Sequence, residues 1–73
     1  MAYDFSKLSG RIVEKFVTQA KFATAMGLSE RTISLKLNGH IEWKQNEIMN
    51  ACSLLDIQHT EIPAYFFTQK DQF

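Results

Sequence analysis

The chain has 73 residues, 45% hydrophobic and 22% charged, with eight basic and eight acidic side chains and a formal net charge of zero. That length gives one domain with a modest core shared between its elements, and that composition is globular rather than disordered. One cysteine, Cys52, excludes an internal disulfide, and no 18-residue apolar run or signal-like segment is present, so a reducing, cytoplasmic setting without a membrane is expected.

In chain order, Met1 to Asp4 reads as a short arm. A first helix is expected over Asp4 to Phe16, because Phe5, Leu8, Ile12 and Phe16 recur on one helical face. Gly10 lies in its middle at a cost of about 1 kcal/mol relative to alanine. It either admits a close neighbour or is merely tolerated. Thr18 caps a second helix over Gln19 to Met26, with Phe22, Ala23 and Met26 as its apolar stripe. Gly27 ends it at a turn that needs positive φ. Ser29 caps a third helix, Glu30 to Asn38, stopped by Gly39. Ile33 and Leu37 are its inward residues.

A loop follows, then a fourth helix from Lys44 or Gln45 to Leu55, with Ile48, Ala51, Cys52 and Leu55 on one face. Ile57 plugs the core from the next loop. Thr60 is the expected cap of a last helix, Glu61 to Phe67, with Pro63 in its first turn and Ile62, Tyr65 and Phe66 inward. Thr68 to Phe73 is expected to fray. The fold class is therefore all-α, five helices and no strand, with a core over about residues 4–67.

Residues 19 to 39 organise the rest. A small residue, a glycine four on and an apolar residue six further, here Ala23, Gly27 and Ile33 with Leu28 plugging the turn, is the spacing of a helix-turn-helix. In that motif the second helix lies in the major groove. Thr18-Gln19, Ala23, Gly27-Leu28-Ser29, Thr32-Ile33-Ser34 and Asn38-Gly39 resemble the DNA-binding domains of phage repressors and Cro proteins, the lambda-repressor-like domains. The run Ser34 to Gly39, Glu47-Ile48 and Tyr65-Phe66-Phe67 narrow the resemblance. They are similar to the small Cro-like regulators of temperate phages of Gram-positive hosts, including antirepressor-type modulators of lactococcal-type phages. The resemblance implies a helix-turn-helix at helices 2 and 3 and a role in the lysis–lysogeny switch inside the bacterial host. It implies two partners, which need not exclude each other: the phage main repressor, through its N-terminal domain, and operator double-stranded DNA.

The candidate binding residues are Gln19, Ser29, Glu30, Arg31, Thr32, Ser34, Leu35 and Asn38, with Lys21 and Lys36 as candidate phosphate contacts. Guanidinium can bridge guanine O6 and N7, which makes Arg31 the best base reader. Thr32 and Ser34 can bond bases or phosphates, and Leu35 can touch a thymine methyl group. Glu30 can accept from cytosine, or can simply favour the helix N-terminus. The resemblance places Gln19 where an amide binds phosphate and braces the third helix. It also marks Lys36 as a departure from an apolar position, its stem covering the core edge while its ammonium reaches out. Each lysine read singly is also an ordinary solvated side chain. Trp43 is either core or an aromatic interface anchor. Met49, Leu54, Phe67 and Phe73 pose the same choice.

Charge weighs against DNA as the main partner. Residues 1 to 40 hold Lys7, Arg11, Lys15, Lys21, Arg31 and Lys36 against Asp4, Glu14 and Glu30, a net of +3, and the remainder carries −3. A DNA-binding domain is usually more basic than that. The expectation is an antirepressor-type regulator with weak or conditional DNA contact, the alternative being a conventional Cro-like operator binder. His40, His59 and Cys52 are scattered and give no zinc spacing or nucleophile–base pair. No catalytic residue, metal, cofactor or small-molecule ligand is expected.

Overall fold

The computed structural model describes residues 3–70. They form α1 (Ser6–Phe16), α2 (Gln19–Met26), α3 (Glu30–Leu37), α4 (Gln45–Leu55), a 3-10 turn (His59–Glu61) and α5 (Ile62–Phe66). The all-α expectation holds, and the bounds of α2 are those read from the sequence. Among the described residues no helix is long and apolar enough to cross a membrane.

Local chemistry explains the boundaries. The Thr18 hydroxyl accepts the Lys21 N–H at 3.2 Å, and the Ser29 hydroxyl accepts the Thr32 N–H at 3.1 Å, each satisfying a free donor of a first helical turn. Helices α2 and α3 end alike. Gly27 has φ +74° and Gly39 has φ +77°. Leu28 N–H then reaches the Ala23 carbonyl at 2.9 Å, and His40 N–H the Leu35 carbonyl at 2.9 Å. These left-handed closures reverse the chain within two residues. Asp56 makes a similar turn after α4 with φ 57°, which swings Ile57 into the core, 5% exposed.

Four boundary expectations are corrected. The last helix spans Ile62–Phe66 rather than Glu61 to Phe67, because Glu61 ends the preceding 3-10 turn and Phe67 is the C-cap. Helix α1 starts at Ser6, not Asp4, because the Asp4 carboxylate stays outside the helix and accepts the Ser6 N–H at 2.8 Å. Asn38 is the C-cap of α3 rather than its last residue. Thr60 caps nothing: Gln58 precedes the 3-10 turn, and its N–H donates to the Glu61 carboxylate at 3.2 Å. The chain ends also differ from a free arm and a frayed tail. Tyr3 bridges Gln69, and Asp4 N–H donates to the Thr68 carbonyl at 2.7 Å. The rest of the expected arm (Met1, Ala2) and of the expected tail (Asp71 to Phe73) lies outside the described residues.

The core draws on every helix. Leu8, Ile12, Phe22, Ile33, Leu55 and Phe66 are its largest fully buried side chains, each contributing about 1.5–3 kcal/mol by burial. Leu28, Leu37, Ile48, Leu54 and Ile62 pack against it from the edge. Arg11 ties α1 to the end of α4: its Nε donates to the Leu55 carbonyl at 2.9 Å and its guanidinium reaches the Asp56 carbonyl at 3.3 Å. A cation there also suits the negative end of the helix dipole. Gly10 faces solvent, and an added Cβ there would touch nothing, so it is tolerated rather than needed for packing.

Val17 carries strain. Its φ is 72° and ψ −46°, and Thr18 N–H donates to the Phe16 carbonyl at 2.8 Å across it. That is the rare positive-φ γ-turn, and a β-branched residue pays most for it. The side chain is 66% exposed and gains little packing in return. Val17→Gly is expected to raise stability by about 0.5–1.5 kcal/mol, read as a higher urea midpoint with an unchanged slope. A lower midpoint would contradict the strained turn.

Candidate functional site

Most of the candidate residues lie on α3 and its caps, while Gln19 and Lys21 lie on α2. Ser29, Glu30, Arg31 and Asn38 are exposed, and Thr32, Ser34 and Leu35 are half-buried. Ile33 points the other way, into the core. Ser29 and Thr32 share a hydroxyl–hydroxyl bond of 2.9 Å, so part of their polarity is used internally. The Asn38 amide donates to the Ser34 carbonyl at 2.9 Å. Arg31 extends from the first turn of α3, and Lys21 is exposed on α2. Gln19 is half-buried at the start of α2, and its amide bonds no other described residue. Arg31 is the cation of the α3 flank, Glu30 its anion, and Leu35 its apolar side chain.

Lys36 is not part of it. It is 3% exposed, and its ammonium turns inward to the Glu47 carboxylate at 2.7 Å and the Glu42 carbonyl at 2.8 Å. The Trp43 ring lies 5.7 Å away. The expected phosphate contact is therefore corrected. A buried ammonium needs a charged partner and hydrogen-bond acceptors; Glu47 on α4 supplies the charge, and the Glu42 carbonyl, in the loop before α4, supplies a further acceptor. The signal for Lys36 was its inward position beside Ile33 and Leu37. Its partner, eleven residues on, carries no sequence signal of its own.

Trp43 joins the core edge and the surface. It packs edge-on against Phe66 at 5.3 Å and tilted against Phe5 at 6.4 Å. Its indole N–H is buried without a hydrogen-bond partner among the described residues, a cost of about 1–3 kcal/mol. Beside it opens a cleft of about 300 Å³ of mixed character, lined in part by Tyr3, Ile41, Glu42, Ile48 and Phe67. Met49 and Phe67 are exposed, whereas Leu54 packs on the core. Cys52 is buried among apolar side chains, and burial pushes its thiol up. Among the described residues no cluster of three or more metal-ligating side chains occurs.

These features define a small all-α domain whose third helix carries exposed and half-buried polar side chains and one leucine on its outward flank. Residues 1–69 match the model of the family described as "Protein of unknown function (DUF739)", and the chain belongs to that family. No curated protein matches it. Among solved structures it is similar to the modulator of repression (MOR) of the temperate bacteriophage TP901-1 from Lactococcus lactis, determined in solution. The two are 55% identical, with a TM-score of 0.80, over 92% of this chain and 90% of that one. The resemblance read from Ser34–Gly39 and Tyr65–Phe67, to regulators of lactococcal-type temperate phages, is borne out.

The Glu47 carboxyl sets a pH dependence. Burial pushes it up, but the Lys36 ammonium, the Lys44 N–H and their charges outweigh that and hold it below the ordinary glutamate value. A carboxyl lowered in the folded state stabilises fully above its unfolded value, and the contribution fades as pH falls toward the folded one. Melting curves between pH 6 and pH 3 are expected to show Tm falling in the acid limb. Glu47→Gln is expected to flatten that limb, and an equally steep fall in the variant would assign the acid sensitivity elsewhere.

Proposed function

We propose that this protein is a phage transcriptional regulator of the lysis–lysogeny switch, of antirepressor type. In this reading α2, the Gly27 turn and α3 form a helix-turn-helix whose α3 flank docks on the N-terminal domain of the phage main repressor. Docking changes the repressor's operator binding, and direct DNA contact is weak or conditional. The observation that carries the reading is the 55% identity, over nearly the whole chain, with a protein that modulates repression.

Charge supports a protein partner. Of the six cations in the first forty residues, Arg11 and Lys36 are committed to internal carbonyls and a carboxylate, and Lys7 lies over the Tyr65 ring at 4.8 Å. What remains on α3 is Arg31, partly offset by Glu30. A surface that neutralises so few phosphates gains little from counterion release. Leu35 beside Arg31 is instead the mixture of apolar and guanidinium anchors that protein interfaces favour.

The Cro-like alternative draws on Arg31, which is free at the first turn of α3 to read a guanine. A Cro-like dimer would bind two half-sites about one helical turn apart.

Size exclusion with the N-terminal domain of the TP901-1 main repressor is expected to give co-elution. Gel shifts with the protein alone are expected to show no operator band even at low salt. A salt-sensitive band without co-elution would replace the antirepressor reading with the Cro-like one. Arg31→Ala and Leu35→Ala are each expected to weaken the repressor complex by about 1–2 kcal/mol. If Arg31 reads guanine instead, its removal costs operator affinity by about 1–3 kcal/mol.

A further inference from the structure

Helix α3 is held at few points. It packs chiefly on α2, and Ile33 and Lys36 are the residues it buries fully. Ile33 is an apolar knob in the core. Leu37, one turn on, packs at the core edge. Apolar burial has no direction, so these two contacts, in line along the helix, restrain its roll about its own axis only loosely. Lys36 lies three residues on from Ile33, about 4.5 Å further along the axis and on the same flank.

The Lys36 ammonium is directional where Ile33 is not. It donates to the Glu42 carbonyl at 2.8 Å and pairs with Glu47 Oε1 at 2.7 Å. These charge-assisted bonds reach the loop and α4, a different part of the fold from α2. Glu47 is itself fixed, because the same Oε1 accepts the Lys44 N–H at 2.8 Å. One carboxylate oxygen therefore closes the start of α4 and holds the last turn of α3. A helix with its side chains has a radius of about 5–6 Å, so a 20° roll moves an outer tip by roughly 2 Å. A roll of that size would force the Lys36 stem out of its present rotamer if it is to keep both bonds.

We propose that the Lys36–Glu47 pair is a positioning device for the α3 flank: it fixes the roll of the helix, and so where Arg31 and Leu35 meet a partner. The proposal rests on the reading of that flank given above. The pair is needed for binding more than for folding. Exchanging a buried ion pair for neutral side chains of similar volume is often harmless to stability. Binding groups, by contrast, must be held within about 10–20° of their productive geometry.

The test is the double substitution Lys36→Met with Glu47→Gln. Glutamine keeps an acceptor for the Lys44 N–H, and methionine keeps the volume of the lysine stem without its donors. Three quantities are read: the urea midpoint, the Kd for the N-terminal domain of the TP901-1 main repressor, and the orientation of α3 from amide residual dipolar couplings. The midpoint is expected to stay at the parent's value and the Kd to rise at least about tenfold, as for misplaced hot-spot anchors. The couplings are expected to change over Ser29–His40 while those of α4 persist. A Kd within twofold of the parent's, or unchanged α3 couplings, overturns the proposal. So does a variant that unfolds or loses its midpoint, since the pair is then a requirement of the fold. If the parent itself does not bind the repressor domain, the reading of the flank fails, and the couplings alone decide whether the pair sets the roll.

Discussion

No helix of this chain can stand alone. The longest, α1 and α4, have eleven residues, and isolated helices shorter than about 12–15 residues are marginal in water. Each persists because it lends one face to a core that all of them share. The core in turn demands that the chain reverse sharply at the end of each helix, before the next face can be brought in. Four successive helix ends meet that demand with a positive φ: Val17, Gly27, Gly39 and Asp56. Glycine and aspartate adopt it at low cost. Valine does not, so the turn between α1 and α2 is a place where packing imposes a backbone shape that the side chain resists.

This explains which parts were legible beforehand. Helix α2 was readable to the residue because its start and stop are written in adjacent positions, a threonine before it and a glycine after. The cap at Ser29 and the stop at Gly39 were legible for the same reason. The apolar stripes of α1 and α4 named their buried residues by periodicity alone. The start of α1 lies later than the sequence indicates because Asp4 serves the helix from outside it, and Thr60 is no cap because the turn begins after Gln58, whose N–H donates to the Glu61 carboxylate. The Tyr3–Gln69 bridge and the γ-turn at Val17 have no periodicity and no characteristic residue, so nothing in the sequence announced them.

Lys36 is the instructive case. Its position among apolar neighbours was visible, and the amphipathic character of lysine suggested a snorkelling side chain with its charge in water. Glu42, Trp43 and Glu47 decided otherwise by surrounding the ammonium with a carbonyl, a ring and a carboxylate. Whether a lysine on an inward face snorkels or pairs depends on what a later helix brings opposite it. That is tertiary information, absent from any local window. The outward flank was easier to read, because exposure follows from the burial of Ile33 one face away.

The buried lysine also bears on function through electrostatics. A formally neutral chain can still bind DNA if its cations gather on one surface, and the sequence offered a basic first half. The fold spends part of that excess inside: Arg11 on the carbonyls that end α4, Lys36 on Glu47. The α3 flank is left with modest charge, a leucine, and hydroxyls partly satisfied by one another. Long-range attraction to phosphates is weak on such a surface, and shape and roll angle matter correspondingly more. A flank that must fit by shape needs a helix that cannot turn. A directional ion pair in the last turn of α3 supplies that restraint, which an apolar side chain at position 36 would not.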